Sequence, residues 1–350
     1  MIALQAVTPQ QLLERVPGCT LDEARKIVAA VHRDEDVLAP RSGVSRKTRE
    51  ALQQSAHVPA LATKEERRSA LDPFVKFALQ TADEKTIETV RIPLENQNRF
   101  SACVSSQIGC ALACAFCATG RLGLIRNLEA WEIVEQVRIV RRTLVPGQRV
   151  HGVVFQGMGE PMANLDRVLQ AIAVLSDPCG PQIDGRNITV CTSGLTPGIL
   201  RLANEAPRVR LGLSFGSAQS GVRKTIMPIE RAHALDEVLA AAAEHALKTK
   251  LAPMWAVTLL EGVNDSHDDA RALAARAKDF VAKTGKKPRI SVIAYNAIDK
   301  DSFERVSEDK ERVFRQALHD KGFPTHRRYS GGSDVGAACG QLAGAAAQML

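Results

Sequence analysis

The residues best equipped for chemistry lie in one stretch, Cys103-Val-Ser-Ser-Gln-Ile-Gly-Cys110-Ala-Leu-Ala-Cys114-Ala-Phe-Cys117-Ala-Thr-Gly. Cys110, Cys114 and Cys117 stand in a Cys-x3-Cys-x2-Cys arrangement. A short loop of that spacing can wrap its thiolates round one face of a cubic iron–sulfur cluster. Four ligands would fill the iron sites. Three leave one iron open to a substrate or cofactor, as an open position does in catalytic zinc. The competing reading is a structural zinc site with its fourth ligand elsewhere. No second cysteine pair and no His-x3-His follows downstream, which argues against zinc.

Other stretches could serve a ligand. Gly157-Met158-Gly159-Glu160-Pro161 follows a strand-like run. Its glycines let the backbone approach a ligand closely, Glu160 offers an acceptor for an ammonium group, and Pro161 fixes the exit. The third glycine of a dinucleotide fingerprint is absent. Thr189-Val190-Cys191-Thr192-Ser193-Gly194, Leu213-Ser214-Phe215-Gly216 and Ile293-Ala294-Tyr295-Asn296 end further strand-like runs. Their small hydroxyl and amide residues suit sugar hydroxyls and an adenine edge. Near the chain's end, Tyr329-Ser330-Gly331-Gly332-Ser333-Asp334-Val335-Gly336-Ala337-Ala338-Cys339-Gly340-Gln341-Leu342 sets a cysteine in a glycine-rich loop. Composition leaves that thiol as inert, a fourth cluster ligand or a nucleophile.

These motifs need elements to position them. Residues 86–92 and 99–105 alternate in polarity and flank the polar Glu95-Asn96-Gln97-Asn98, which predicts two strands and a turn. Strand-like runs at 99–105, 152–156, 188–192, 209–214, 254–259 and 289–295 alternate with helical runs at 128–142, 165–175, 235–248, 268–283 and 308–321. That rhythm predicts an α/β fold with a parallel sheet. Six units fall short of the eight-unit barrel, so the expectation is a curved, open six-unit barrel with its site at the C-terminal ends of the strands. Residues 1–75 read as helical and polar. Thr8-Pro9 opens a first helix, Val16-Pro17-Gly18-Cys19 is a turn, and Thr20-Leu-Asp-Glu23 is a capping box for the next. Helix, Pro-Gly turn, helix is similar to a helix-hairpin-helix, whose turn amides can hold a phosphate; an ordinary helical hairpin fits as well. The Ala-rich tail at 343–347 reads as a helix.

Composition sets the bounds. The chain has 350 residues, 45% of them hydrophobic, enough for a large domain with a small one and against global disorder. A formal net charge of +7 favours a polyanionic partner. The charge is spread, with small knots at Lys64 to Arg68, Lys286 to Arg289 and Thr325 to Arg328. Eight cysteines in this length make no dense disulfide scaffold and point to a reducing cytoplasm. Residues 1–30 lack a cationic start followed by an apolar run, so no signal peptide is expected. No run of about 18 uninterrupted apolar residues occurs, so no membrane association is expected.

Phe116, one before the last clustered cysteine, is the usual radical S-adenosylmethionine (SAM) signature, and the cysteine stretch resembles that superfamily. Gly157-Met-Gly-Glu160 looks like its Gly-Gly-Glu equivalent, which holds the methionine amino group of SAM. The linked set resembles the RlmN/Cfr family: Glu88-Thr-Val…Pro93, Cys103-Val-Ser-Ser-Gln-Ile-Gly-Cys110, Gly-Met-Gly-Glu160-Pro, Met227-Pro228-Ile229, Gly262-Val-Asn-Asp265 and Ala-Ala-Cys339-Gly-Gln-Leu. These are radical SAM enzymes that methylate an adenine of large-subunit ribosomal RNA and, in some members, of transfer RNA. The resemblance covers residues 76–350 well and 1–75 loosely. It departs at Cys191-Thr192, where the family usually has Ser-Thr, and at Ser214-Phe215-Gly216-Ser217, where it usually has Ser-Leu-His-Ala. Before Cys339, Ser330, Gly332 and Gly336 partly replace its usual Arg and acidic residues.

The resemblance implies a partial (β/α)6 radical-SAM barrel over 76–350, ending in a catalytic-cysteine loop. Residues 1–75 become a helical accessory domain with possible RNA contact. It implies one 4Fe-4S cluster on Cys110, Cys114 and Cys117 plus SAM. SAM contacts fall at Gly159, Glu160, Cys191, Ser214, Phe215, Gly216 and Asn296. Cys339 becomes the methyl-cysteine intermediate, Glu88 the proton acceptor, and Cys103 the resolving thiol that closes a disulfide with Cys339. The implied partners are RNA and an electron donor such as flavodoxin, with the chain a monomer. Two rival classes fit fewer residues. A glycyl-radical activase needs neither Cys103 nor Cys339, and a non-catalytic iron–sulfur RNA-binding protein does not cleave SAM.

Overall fold

The N-terminal elements follow from local sequence. In this computed structural model, residues 1–39, 42–96, 98–298, 302–327 and 331–343 are described. Strand β1 (Ile2–Ala3) is followed by α1 (Pro9–Arg15), opened by a Thr8–Gln11 capping box with Pro9 in the first turn. The expected Pro-Gly turn leads to α2 (Leu21–His32), opened by a Thr20–Glu23 capping box. Ser45 caps α3 (Arg46–Ser55), and β2 (Ala56–His57) returns to pair with β1. Leu12, Ile27, Val28 and Leu52 are fully buried between these helices and form a core of their own.

The remainder is built on one ten-stranded sheet. Its first strand, β3 (Ala62–Arg68), lies in the segment expected to be helical, which corrects that part of the reading. All its side chains are exposed, so no hydrophobic period marks it; pairing with β4 (Val75–Gln80) makes it a strand. β5 (Thr86–Pro93) and β6 (Arg99–Val104) complete an antiparallel edge. A hairpin of β7 (Gln107–Cys110) and β8 (Gly123–Asn127), with the short α4 (Ala118–Arg121) between them, carries the cysteine motif. The chain then alternates: α5 (Ala130–Arg142), β9 (Arg149–Phe155), α6 (Leu165–Ser176), β10 (Ile188–Thr192), α7 (Thr196–Glu205), β11 (Arg210–Ser214), α8 (Ser220–Ile226), α9 (Leu235–Thr249), β12 (Met254–Leu259), α10 (His267–Thr284), β13 (Arg289–Ala294), α11 (Glu308–Asp320) and β14 (Thr325–Arg327).

From β6 through β9 to β14 the neighbours pair in parallel. The six expected parallel strands are all present, and β14 adds a seventh. Helix α7 has no counterpart among the helical runs expected from sequence. Beneath the strands, Trp255 is wholly buried, with its ring 4.7 Å from Phe215 and 5.4 Å from Phe280. The N-terminal helices dock on α5 and α6: Arg138 donates to Val31 O at 2.9 Å, and Gln170 to Ala6 O at 2.8 Å. The expected C-terminal helix beyond Ala343 lies outside the described residues. Among the described residues, no helix is long and apolar enough to cross a membrane.

Candidate active site

One cavity opens at the C-terminal ends of the parallel strands. Phe155 to Gly157, Cys191 to Ser193, Ser214 and Tyr295 line it where β9, β10, β11 and β13 finish. Cys103, Cys110, Cys114, Cys117, Cys191 and Cys339 all line it as well. Among the described residues no disulfide is formed, so the implied Cys103–Cys339 bond is not present here.

The cysteine loop is held from several sides. Ala115 N donates to Ile226 O at 2.9 Å, and Ala118 N to Gly340 O at 2.8 Å. Leu112, Cys114 and Phe116 pack against Ile226, Met227, Leu260 and Tyr295, which shields one side from water. Burial, and then the neighbouring acidic groups, pushes the Cys110 thiol up to about 11 and Cys114 to about 12; Cys117 is also raised, chiefly by burial. Such thiols become ligands only when a bound cation displaces their protons. A single zinc ion holds each sulfur at about 2.3 Å and so draws its ligands tightly together. Among the described residues, no three His, Cys, Asp or Glu side chains converge on one such point. Three thiols lining one cavity are the donors that a four-iron cube, which spreads its thiolates over separate irons, would take.

The Gly-Met-Gly-Glu turn is fastened to the strand leading into the cysteine loop. Gly157 N donates to Val104 O at 3.1 Å, Met158 N to Ser105 Oγ at 2.9 Å, and Glu160 N to Gln107 Oε1 at 2.8 Å. Gly159, at φ +96°, abuts Gln107 so closely that a Cβ would lie 2.8 Å from its backbone nitrogen. Glu160 is buried against the cavity, its oxygens accepting from Met162 N at 3.0 Å and Ser193 N at 2.9 Å. Burial raises its carboxyl despite these amides, and an incoming ammonium would favour the charged form. Tyr295 brings a buried hydroxyl that has no hydrogen-bond partner among the described residues. A polar ligand atom would satisfy it.

The Cys339 segment has little regular structure and is bolted down by distant residues. Asn296 Nδ2 donates to Cys339 O at 3.2 Å, the Thr119 hydroxyl donates to Leu342 O, and Gln341 Nε2 donates to Ala297 O at 3.1 Å. At its near end, Gly332 N donates to Asp72 Oδ2 at 2.9 Å, and Asp334 accepts from Ser69 and Ala70. Glu88 Oε2 accepts from Ala343 N at 2.9 Å, while its Oε1 meets Lys76 Nζ at 3.0 Å.

Of the residues singled out in the sequence, Cys103, Cys110, Cys114, Cys117, Gly159, Glu160, Cys191, Ser214, Gly216 and Cys339 line the cavity together. Phe215 does not; its side chain belongs to the Trp255 core. Glu88 and Asn296 stand behind the Cys339 segment and grip its backbone. Sequence reasoning quoted Tyr295 in a strand-end motif beside Asn296 but gave it no role of its own. It also passed over Arg223, which is buried, ion-paired to Glu230 and bonded to Ser193 O at 2.6 Å and Phe215 O at 3.2 Å, tying two strand-end loops together.

Barrel and cavity define a radical SAM protein, and the pattern described as the radical SAM superfamily matches residues 104–274. A solved radical SAM methyltransferase from Sphaerobacter thermophilus superposes with a TM-score of 0.88 at 33% identity, covering 98% of this chain and 99% of that one. A probable RNA methyltransferase of Sorangium cellulosum is 55% identical over 93% of this chain and 88% of its own length. The dual-specificity RNA methyltransferase RlmN of Syntrophobacter fumaroxidans is 38% identical over 86% of this chain and 85% of its own length. The chain belongs to the RlmN-like radical SAM RNA methyltransferases.

Proposed function

We propose that this chain methylates a ring carbon of an adenine in RNA through a methyl-cysteine intermediate on Cys339. One placement carries the reading: Cys103 and Cys339, outside the Cys-x3-Cys-x2-Cys motif, line the same cavity as Cys110, Cys114 and Cys117. The RNA methyltransferases among its relatives support RNA as the substrate. An aromatic amidine carbon is electrophilic and does not accept a methyl cation, so polar transfer alone is insufficient. When bound, the 4Fe-4S cluster and SAM would supply the methyl group and a one-electron hydrogen abstraction.

The chain's own residues do the rest. Cys110, Cys114 and Cys117 would hold the cluster, leaving one position for SAM. Glu160, Gly159, Cys191, Ser214 and Gly216 surround the space where SAM would lie. Cys339 accepts the methyl group as a thiolate nucleophile, its loop fixed by Asn296 and Ala118. Glu88 takes the ring proton once the adenine is joined to the methylene carbon, and the odd electron left in the ring is one that the cluster, when bound, would accept. Cys103 then attacks the Cys339 sulfur. The S–S bond forms as the sulfur–methylene bond breaks, the electron pair leaves with carbon, and carbon takes a proton. An electron donor such as flavodoxin would supply the cluster's electron, and a dithiol reductant reopens the disulfide by exchange. The N-terminal helices act as the accessory RNA-contacting unit of a monomer.

The test is reconstituted enzyme with SAM, a reductant and RNA. Cys103→Ala loads the methyl group, attacks RNA and stalls as a covalent protein–RNA species joined through Cys339. Cys339→Ala gives neither methyl-cysteine nor adduct. Peptide mass spectrometry and a denaturing gel read both, and mass mapping of the RNA identifies the nucleotide. An unmethylated Cys339 in active wild type, or normal turnover by Cys103→Ala, overturns the reading.

A further inference from the structure

The antiparallel edge of the sheet carries charges toward the Cys339 segment. Its register sets Cys103 opposite Val90, Val90 opposite Lys76, and Lys76 opposite Arg67. Two residues along, Glu88 stands opposite Ala78, and Ala78 opposite Glu65. Strand side chains alternate with period two, so these residues share one face. Lys76 and Glu88 are diagonal neighbours on it. Their charged ends are 3.0 Å apart, with side chains only 10% and 8% exposed. The Cys339 segment lies over the ammonium: a Cβ on Gly336 would come within 3.1 Å of Lys76 Nζ. Arg67 also faces Glu88 but is more exposed, and it is committed to Glu65 at 2.6 Å.

A buried Lys–Glu pair is poor evidence for stability, because desolvation offsets the attraction. Its position suggests another use. A carboxylate gripped by an ammonium on one oxygen and a backbone amide on the other is fixed in place, as a base must be to meet one particular proton. We propose that Lys76 is a positioning residue that orients the Glu88 carboxylate against the Cys339 segment, so that Glu88 can take the ring proton of the RNA-linked intermediate. This rests on the reading of Glu88 given above. In that transfer the proton moves from the ring carbon to a free lone pair of the carboxylate, the C–H bonding pair stays in the ring, and the adduct's odd electron is the one the bound cluster would accept. Each carboxylate oxygen keeps a lone pair beyond its bond to Lys76 or Ala343. Glu88 ends as a neutral acid beside the ammonium.

The experiment uses reconstituted holoenzyme, SAM, a reductant and total RNA, with Lys76→Met, Lys76→Gln, Lys76→Arg and Glu88→Gln. It reads the methyl group on Cys339, the covalent protein–RNA species, and released methyladenosine. Lys76→Met and Lys76→Gln should load Cys339 as wild type does, accumulate the covalent species and release roughly 100-fold less product, the scale of a lost general base. Glu88→Gln should stall at the same point, and Lys76→Arg should restore most of the release. A lysine that merely braces the loop would act earlier, lowering methyl loading without accumulating adduct. That pattern, or wild-type release by both Lys76→Met and Lys76→Gln, overturns the proposal. Normal turnover by Glu88→Gln instead removes the underlying reading of Glu88.

Discussion

The N-terminal helices and the Cys339 segment are both small pieces tied to the barrel, yet they are held by opposite kinds of information. Residues 1–57 are fixed by neighbours in sequence. Capping boxes at Thr8 and Thr20 start two helices, and Leu12, Ile27 and Leu52 close a private core. The segment 331–343 has almost no regular structure. It is positioned by Asp72, Glu88, Thr119 and Asn296, which come from distant parts of the chain. Apolar burial is non-directional and tolerant, whereas hydrogen bonds to backbone groups fix one arrangement. The first device suits a docking unit, and the second suits a thiol with the role proposed for Cys339, which has to meet a particular atom.

The sharpest break of this comparison is in the N-terminal core. Ile27 is wholly buried there. Ile27→Ala should lower stability by about 2–5 kcal/mol, through lost transfer energy and the cavity left behind. Denaturant unfolding followed by far-UV circular dichroism reads it. SAM cleavage by the reconstituted variant should persist under native conditions, because no N-terminal residue lines the cavity. Loss of cleavage at full folding would show that the two regions are not separable in this way.

The same division decides what was legible in the sequence. The barrel strands at 188–192 and 254–259, the Thr8-Pro9 helix start and the Thr20–Glu23 capping box could be read because local pattern encodes them. The thiol and Gly-Met-Gly-Glu motifs could be read because chemistry restricts residue type and spacing. β3 could not be read, since an all-exposed edge strand has no hydrophobic period and takes its form from its partner. The direction of the Phe215 ring could not be read because a strand-end position does not reveal which way a side chain turns; Trp255 takes the ring into the core. Lys76 was invisible because its partner Glu88 lies on the neighbouring strand, and register is a tertiary fact.

A smaller effect is expected at the other region. Asp72 caps the start of the Cys339 segment through Gly332 N at 2.9 Å and its own turn through Phe74 N at 3.0 Å. Asp72→Ala should weaken the hold on the segment by roughly 1–2 kcal/mol, the worth of hydrogen bonds to a charged acceptor. Methyl loading of Cys339 should fall several-fold to about ten-fold, while the unfolding midpoint barely moves. Peptide mass spectrometry at short reaction times reads the first, and denaturant unfolding the second. A large loss of stability with full methyl loading would reverse the assignment of roles.

The smallest effect concerns one carboxylate in the N-terminal module. Glu23 accepts from Thr20 N at 2.9 Å and Ser45 N at 2.7 Å, and from the Thr48 hydroxyl at 3.2 Å. These donors, with the Thr20 amide the strongest, hold its carboxyl down at about 2, against burial. A depressed carboxyl contributes stability that is fully present above its unfolded value. That contribution is lost as pH falls from about 4.5 toward about 2. In Glu23→Gln one carboxylate oxygen becomes an NH2 group, which must face either the Thr20 or the Ser45 amide. The variant should therefore lose about 1 kcal/mol at neutral pH, the scale of one hydrogen bond and cap. Its deficit should shrink as the medium is acidified through that window. His32, held down at about 3 chiefly by burial, gives both proteins a slope of the same sign, so the difference between variant and wild type isolates Glu23. Urea unfolding at a series of pH values reads it. A deficit that stays constant or grows with acid would mean that hydrogen-bond geometry, rather than the charge, is what Glu23 contributes.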